Sequence, residues 1–396
     1  MIQNVTETPL TCDVLICGGA VTGSSIAWFL ANNTDFDGKV VVVERDPSYR
    51  FAATALCASG IRQQFSCPLN IQISQFGAGF IRSALEHFGT SLNFLENGYL
   101  YLAEDPKQAK QLENNWRIQN DLGASTILLS PSQIAERFPH LKVSDIVLGS
   151  LGLSGEGWFD NMGLLDGFRS GARAKNVQYL AGEVTGLNTR NNRINSATLS
   201  NGSEIFCGHF INASGVRALE ISALAGLSIP IQPRKRTNFV FACADKIPDP
   251  LPLMIEPNGV WCRPEGDKFL CGCAPLNDMA VAFDDFEPNF AEFDDIIWPT
   301  LAARSGLFES IKLQRFWAGQ YDMNTFDQNV ILGPATEIEN FYFANGFSGH
   351  GLQQSPAIGR GLSELIVYGQ YRSLDLRPFG IDRILENRPY FEGNII

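Results

Sequence analysis

No stretch of the chain approaches the roughly 18 consecutive apolar residues of a membrane-spanning helix. Met1 to Thr11 has neither the basic start nor the apolar run of a secretory leader, so no membrane insertion and a cytoplasmic location are expected. Positive charge is scarce. The 30 Lys and Arg against 42 Asp and Glu give a net charge of −12, which argues against general attraction to nucleic acid or an anionic membrane. A locally basic pocket for an anionic substrate stays compatible with it. The nine cysteines are an odd number without a periodic framework. Cys12, Cys17, Cys243, Cys271 and Cys273 sit in apolar, strand-like stretches and read as free, buried thiols of a reducing compartment. Four scattered histidines and the single Cys271-Gly-Cys273 pair offer no ligand set for zinc, so no metal is expected. Internal repeats and low-complexity linkers are absent from the sequence.

The 396 residues suffice for one large or two medium domains. Abundant Gly (37) and Phe (28) suit a mixed α/β protein better than a helical bundle. Val14 to Cys17 is a short apolar run, as in a buried parallel strand. Gly18 to Gly23 is a tight turn, Ser24 to Ala31 reads as a helix, and Val40 to Val43 is a second buried strand ending in Glu44. That is βαβ spacing. Helices are predicted near Leu69 to Leu85 and over Asp105 to Asn120, with a strand at Tyr99 to Leu102. Ser130-Pro131-Ser132-Gln133 has the capping-box pattern. Asp160 is read as the cap of a helix with the stripe Leu164, Leu165, Phe168 and Ala172.

A meander follows: Glu183 to Asn188, Ile194 to Leu199, and Glu204 to Cys207. Phe210 to Asn212 is read as a further strand, ending in a small-residue turn. From about Ile229 to Ala318 short strands, such as Asn238 to Ala242 and Phe269 to Cys273, alternate with Pro-rich turns. The acidic segment Asp284 to Asp295 reads as a solvated helix or loop with apolar anchors. Phe341 to Ala344 then returns to the opening style, leading through a Gly-rich turn to a helix over Ala357 to Tyr368 opened by Ser355-Pro356. The alternation predicts two interleaved domains rather than two consecutive ones.

The opening unit carries the clearest chemistry. A strand–turn–helix aims the first N–H groups of the helix, and its positive end, at one point that suits a pyrophosphate. Glycines let the backbone approach the phosphates, and an acid about 20 residues on accepts from a ribose hydroxyl. Glu44 stands at that spacing from Gly23. The usual pattern is G-x-G-x-x-G, and Ala20 takes its second glycine position, so the motif alone does not separate NAD from FAD.

Six blocks in order resemble the FAD-dependent amino-acid oxidase superfamily: Cys17 to Ser25, Val40 to Asp46, Ala58 to Phe65, Phe210 to Gly215, Trp317 to Asp322, and Asn345 to Gly351 with the following Leu352 to Pro356. The superfamily includes D-amino-acid oxidase, glycine oxidase, sarcosine oxidase and dimethylglycine dehydrogenase, and the resemblance spans nearly the whole chain. It is most similar to the bacterial branch near sarcosine oxidase and to a mitochondrial flavoprotein of complex I assembly. It implies FAD as cofactor and an α/β fold. A Rossmann-like FAD domain with a parallel sheet (1–82, 150–226 and 328–378) would interleave with a substrate domain on a large antiparallel sheet (83–149 and 227–327), before a C-terminal tail (379–396). Implied cofactor contacts are Gly18, Gly19, Ala20, Val21, Thr22 and Gly23; Glu44 and Arg45; Cys57, Ala58 and Ser59; Val184, at the adenine; Ala213 and Gly215; and Gly349, His350, Gly351, Leu352 and Gln353, at the flavin.

The reaction so implied is oxidation of the C–N bond of an amino acid, with a secondary or N-substituted amine favoured. Hydride leaves the carbon beside the amine for flavin N5, and the imine hydrolyses. Arg62 matches the carboxylate-holding position of sarcosine oxidase; pairing with a structural acid or the cofactor stays open. Arg263 is a second candidate anchor. Tyr321 falls where glycine oxidase and D-amino-acid oxidases carry an anchoring Arg, and Gln353 where sarcosine oxidase carries a Lys. His350 is read either as a shaper of the flavin site or as structural. Leu270 falls at the lysine that assists oxygen reduction in sarcosine oxidase, with Lys268 on the same strand face as a substitute. Gly319 replaces the Cys that carries covalent flavin there, and Cys57 lies near the flavin-linking His of dimethylglycine dehydrogenase. Oxygen or an electron carrier would take the electrons. The alternatives are a same-fold dehydrogenase feeding a quinone or carrier protein, and a flavin-containing assembly factor without turnover.

Overall fold

The computed structural model describes residues 10–245 and 250–394, and their strands form two eight-stranded sheets and a two-stranded ribbon. The first sheet runs Ile331–Pro334, Phe341–Asn345, Glu204–Asn212, Leu10–Cys17, Val40–Glu44, Gln178–Ala181, with Arg193–Leu199 and Val184–Arg190 branching from Glu204–Asn212. Its centre is parallel. Val14, Ile16, Val40 and Val42 pack under the helices Val21–Asn32 and Gly351–Tyr368, while Leu15, Cys17, Val41 and Val43 pack under the meander and the helix Ala218–Ala223. Burial on both faces is why these strands read as unbroken apolar runs.

The second sheet runs Ile311–Asn324, Ile231–Cys243, Lys268–Gly272, Trp261–Glu265, Leu253–Ile255, Tyr99–Ala103, Leu148–Gly152, Thr126–Leu129. It is antiparallel apart from Leu253–Ile255 against Tyr99–Ala103. One face holds a core of Phe239, Phe241, Phe269 and Cys271 against Phe293, Ile297, Leu301 and Phe308. Strand register puts Tyr99, Leu253, Trp261, Asn238, Arg236 and Tyr321 on the opposite face. We propose the two sheets as the cores of the two interleaved domains. The boundary expected at 150 needs moving, because it cuts Leu148–Gly152, a strand that pairs within the second sheet.

The helix caps form as read. Asp160 accepts from the Gly163 N–H, and the stripe Leu164, Leu165, Phe168 and Ala172 is buried. Ser130 and Gln133 complete a capping box. Other expectations are corrected. The opening strand starts at Leu10, where its first residues pair with Ile205 to Cys207. Glu204–Asn212 is one strand, not two, because it serves both the meander and the parallel core. The opening helix begins at Val21, so Gly23 lies inside it. The closing helix begins at Gly351, with Pro356 in its interior rather than at its start. Pro356 has no N–H to give the Leu352 carbonyl; the Ser355 hydroxyl donates to that carbonyl instead, at 2.9 Å.

Two helical glycines give opposite predictions. A Cβ on Gly359 would lie 2.2 Å from Ser25 Oγ and 2.8 Å from the Ser25 carbonyl carbon, where the closing and opening helices touch. Gly79, in the helix Pro68–Arg82, is exposed and meets nothing within 4 Å. Thermal unfolding should show Gly79→Ala raising stability by about 0.5–1 kcal/mol. The same measurement should show Gly359→Ala lowering it by at least about 1–3 kcal/mol.

Candidate active site

One cavity, of about 590 Å³, runs from the opening turn to the inner face of the second sheet. At its first end the chain turns at Gly18 (φ 102°), whose N–H donates to the Val43 carbonyl at 2.9 Å. A Cβ there would lie 2.3 Å from the Ala213 carbonyl oxygen, and one on Gly23 would lie 1.9 Å from the Gly18 carbonyl oxygen. Gly18, Ala20, Val21 and Thr22 line the cavity; Gly19 and Gly23 stand behind the wall, Gly19 against the side chains of Val42, Glu44 and Tyr49 and Gly23 against the Gly18 backbone. Gly23 is therefore a packing glycine, not a contact. Glu44 lines the cavity and also holds the turn: one carboxylate oxygen accepts from the Gly19 N–H at 2.7 Å, the other from the Asp46 N–H at 2.8 Å. Burial raises its pKa, against those two N–H groups.

Arg45, Cys57, Ala58, Ser59, Val184, Ala213, Gly215, Gly349, Gly351 and Leu352 all line the cavity. Gly215 (φ 58°) and Gly349 (φ 91°) have nothing within 4 Å of where a Cβ would sit. The backbone thus forms an open cradle, with a helix N-terminus at each end and a carboxylate beside the first. That shape and donor set fit a dinucleotide. The Cys57 thiol donates to the Thr54 carbonyl at 3.1 Å and accepts from Asn161 Nδ2 at 3.6 Å. Burial raises its pKa, so it is a protonated thiol rather than a reactive thiolate.

At the other end Arg62, His350 and Gln353 come together on the cavity wall; Tyr321 also lines the cavity, against Arg236. The Arg62 guanidinium lies over the rings of Phe65 (4.1 Å) and Tyr101 (5.9 Å). Its Nη1 donates to the Gln64 carbonyl at 2.7 Å; its Nη2 donates to the Asn394 carbonyl at 2.7 Å and to His350 Nε2 at 3.0 Å. With Nη2 engaged twice, no edge of the fork is free to grip a carboxylate at two points. This corrects the expectation for Arg62. Because Arg62 always donates, His350 Nε2 accepts and the ring proton sits on Nδ1. Burial, then the Arg62 charge, holds the His350 pKa far below its ordinary value, so the ring stays neutral. Gln353 Oε1 accepts from the Arg62 N–H at 2.8 Å and so fixes the backbone at Arg62.

Two predicted residues do not join this group. Arg263 is buried but does not line the cavity; its Nε and Nη2 donate to the Ala58 carbonyl at 3.3 and 3.0 Å, and it pairs with Glu265. It braces the Ala58 loop instead. Lys268 lies at the strand end, paired with Asp267 at 3.0 Å, and does not reach the cavity.

Other functional residues escaped the sequence reading. Buried Glu156 accepts from the N–H groups of Gln63 (2.7 Å) and Gln64 (3.0 Å) and from Gln64 Nε2 (2.9 Å), fixing the backbone just past Arg62. An acid between two glycines, Gly155 and Gly157, was its signal. Asp322 accepts from the Gly346 N–H at 2.6 Å and so shapes the Gly-rich turn; burial pushes its pKa up to about 6. Arg236 lines the cavity beside Tyr321, and the basic run Arg234-Lys235-Arg236 on a strand was its signal. Glu392, fully buried, accepts from the N–H groups of Ser66 and Cys67 and so pins the last residues against the Arg62 segment.

This arrangement is that of a nucleotide-cofactor oxidoreductase. Over residues 13–365 the chain matches the DAO family, described as FAD dependent oxidoreductase, and it belongs to that family; FAD is its cofactor. FAD-dependent oxidoreductase domain-containing protein 1 of Xenopus laevis is 38% identical across 98% of this chain and 85% of its own length. Mitochondrial sarcosine dehydrogenase of Mus musculus is 22% identical across 94% of this chain and 42% of its own. The crystal structure of L-proline dehydrogenase from P. horikoshii superimposes with a TM-score of 0.84 at 25% identity, covering 96% of this chain and 100% of that one. Among the described residues no helix is long and apolar enough to cross a membrane.

Glu156 generates a pH prediction. Burial lifts its carboxyl from 4.5 to about 7, against the Gln63 and Gln64 donors. A folded pKa above the unfolded one contributes stability that is complete below the unfolded value and is lost as pH rises through the folded one. Melting temperature followed from pH 5 to pH 8 should therefore include a fall due to this group, worth on the order of 1–3 kcal/mol. Glu156→Gln, neutral throughout, should flatten that fall.

Proposed function

We propose that this FAD-dependent oxidoreductase oxidises the C–N bond of an amino acid carrying a secondary or N-substituted amine. The observation that carries the reading is the continuity of one cavity, from the dinucleotide cradle to a sheet face bearing Tyr99, Leu253, Trp261, Asn238 and Tyr321. Sarcosine and proline, named in two of the relatives, are both secondary amino acids, which supports it. Bound FAD supplies the hydride acceptor for such a reaction. The remaining tasks belong to the chain. Tyr99, Trp261 and Tyr321 form an aromatic wall that excludes water and orients a small substrate. The N-terminus of Gly351–Tyr368 directs its positive end at the cavity, where it favours developing negative charge. Neutral His350, its pKa held far down by burial and the Arg62 charge, is too weak a base to take a proton from a substrate ammonium, so the amine would have to bind already deprotonated.

A carrier protein or quinone, rather than oxygen, would then take the electrons. Leu270, where sarcosine oxidase carries its oxygen-assisting lysine, is buried and apolar, and Lys268, on the same strand face, pairs with Asp267 and does not reach the cavity. The test is anaerobic titration of the flavin absorbance with sarcosine, proline, N-methyl amino acids and primary amino acids. At least one secondary amine should bleach the flavin, and colour should return slowly on admitting air but quickly with a soluble quinone. A flavin bleached by none of them would refute C–N oxidation, and rapid recovery in air would refute the carrier assignment.

A further inference from the structure

Four arginines line the cavity: Arg45, Arg62, Arg217 and Arg236. Arg62 is engaged by two carbonyls and an imidazole. Arg217 pairs with Glu220 at 2.7 Å and lies over the Phe283 ring. Arg236 is different, because both its Nη atoms fork onto one carboxylate, that of Asp278, at 2.8 and 2.9 Å. Its Nη2 also donates to the Tyr321 hydroxyl, and its buried Nε has no acceptor among the described residues. Arg236 and Tyr321 stand on neighbouring strands with their side chains on the cavity face. A planar fork with a hydroxyl beside it is the geometry that holds a small carboxylate.

The carboxylate now in that place belongs to an irregular segment, 273–289, between Lys268–Gly272 and Phe290–Glu292. This segment joins two sides of the cavity. Asp285 pairs with Lys235 at 2.7 Å and the Ala282 carbonyl accepts from Gln320 Nε2 on the second-sheet side; Phe286 stacks on Phe51 and Phe283 on Arg217 at the other. Around Asp278 it packs lightly: Leu276 is 92% and Met279 63% exposed. Arg234 Nη1 donates to the Asp278 carbonyl at 2.7 Å and holds the backbone there. Swinging only the Asp278 side chain away would uncover little apolar surface and keep that bond, and the main loss would be an ion pair that an incoming carboxylate restores.

We propose that Arg236 and the Tyr321 hydroxyl are the anchor for the substrate's carboxylate, and that Asp278 is an internal surrogate which the substrate displaces. The inference deepens the proposed reaction and rests on it for the substrate class. It explains how a chain with tyrosine at position 321 and glutamine at 353 still offers a cation at this wall.

The test uses the FAD-loaded protein and reads perturbation of the flavin spectrum by pyrrole-2-carboxylate and by pyrrole-2-carboxamide. The acid should bind more tightly than the amide to the parent protein. Asp278→Asn, which keeps the shape and removes the competing charge, should tighten the acid by about tenfold and leave the amide unchanged. Arg236→Met should abolish the preference for acid, and Arg236→Lys, which retains the charge without the fork, should keep part of it. An Asp278→Asn protein with unchanged or weaker acid binding, or an Arg236→Met protein that still prefers the acid, would overturn the assignment. So would a parent and Asp278→Asn protein that bind no acid at all. Binding is read without turnover: if no amine reduces the flavin but this pattern holds, the anchor stands and the proposed reaction falls.

Discussion

Helix and strand touch backbone to backbone at the opening turn, with no side chain between them. Gly23 makes this possible, since any Cβ would run into the Gly18 carbonyl. That contact sets the angle at which the opening helix leaves the sheet, and hence where its first N–H groups point. Glu44 locks the turn from the neighbouring strand by accepting from Gly19. Gly359 lets the closing helix lie directly on the opening one at Ser25, where the Ser25 hydroxyl donates to the Ser355 carbonyl at 2.7 Å. The two helix starts that face the cavity are therefore positioned by close approach of backbone rather than by interdigitating side chains.

Much of the remaining wall, beside the sheet face, is loop, and loops must satisfy their own polar backbone. Three buried carboxylates do this. Glu156 serves Gln63 and Gln64, Asp322 serves Gly346, and Glu392 serves Ser66 and Cys67. Each carboxylate comes from a distant part of the chain and collects N–H groups from a segment that has no strand partner there. Arg62 has the complementary task, as a buried cation that collects carbonyl oxygens and an imidazole. Arg62, His350 and Gln353 thus spend their hydrogen bonds on one another and on backbone along the wall.

The α/β class, the opening βαβ unit and the caps at Ser130 and Asp160 were legible because each follows from local pattern: apolar runs, turn residues and capping side chains. Resemblance singled out Arg62, Tyr321, His350 and Gln353, and all four line the cavity. What escaped depends on contacts between segments far apart in sequence. Glu156 acts on residues about ninety positions earlier, a relation no local period reveals. The closing helix was started late because Pro356 reads as a first-turn residue, and only its position beside Ser355 lets it sit deeper. Lys268 has the right strand phase but lies at the strand's end, so phase alone put it on the right face at the wrong depth.

Residues 341–394 close over segments that are synthesised much earlier. Leu10–Cys17, the opening helix and Arg62 leave the ribosome early, yet the strand beside Glu204–Asn212, the helix over Ser25, and the Glu392 and Asn394 contacts to the Arg62 segment all come from residues 341–394. Until those arrive, the early segments have one wall and a buried cation without its full set of acceptors. The nascent nucleotide-binding unit is an incomplete receptor, and its cradle closes only when residues 341–394 have docked on it.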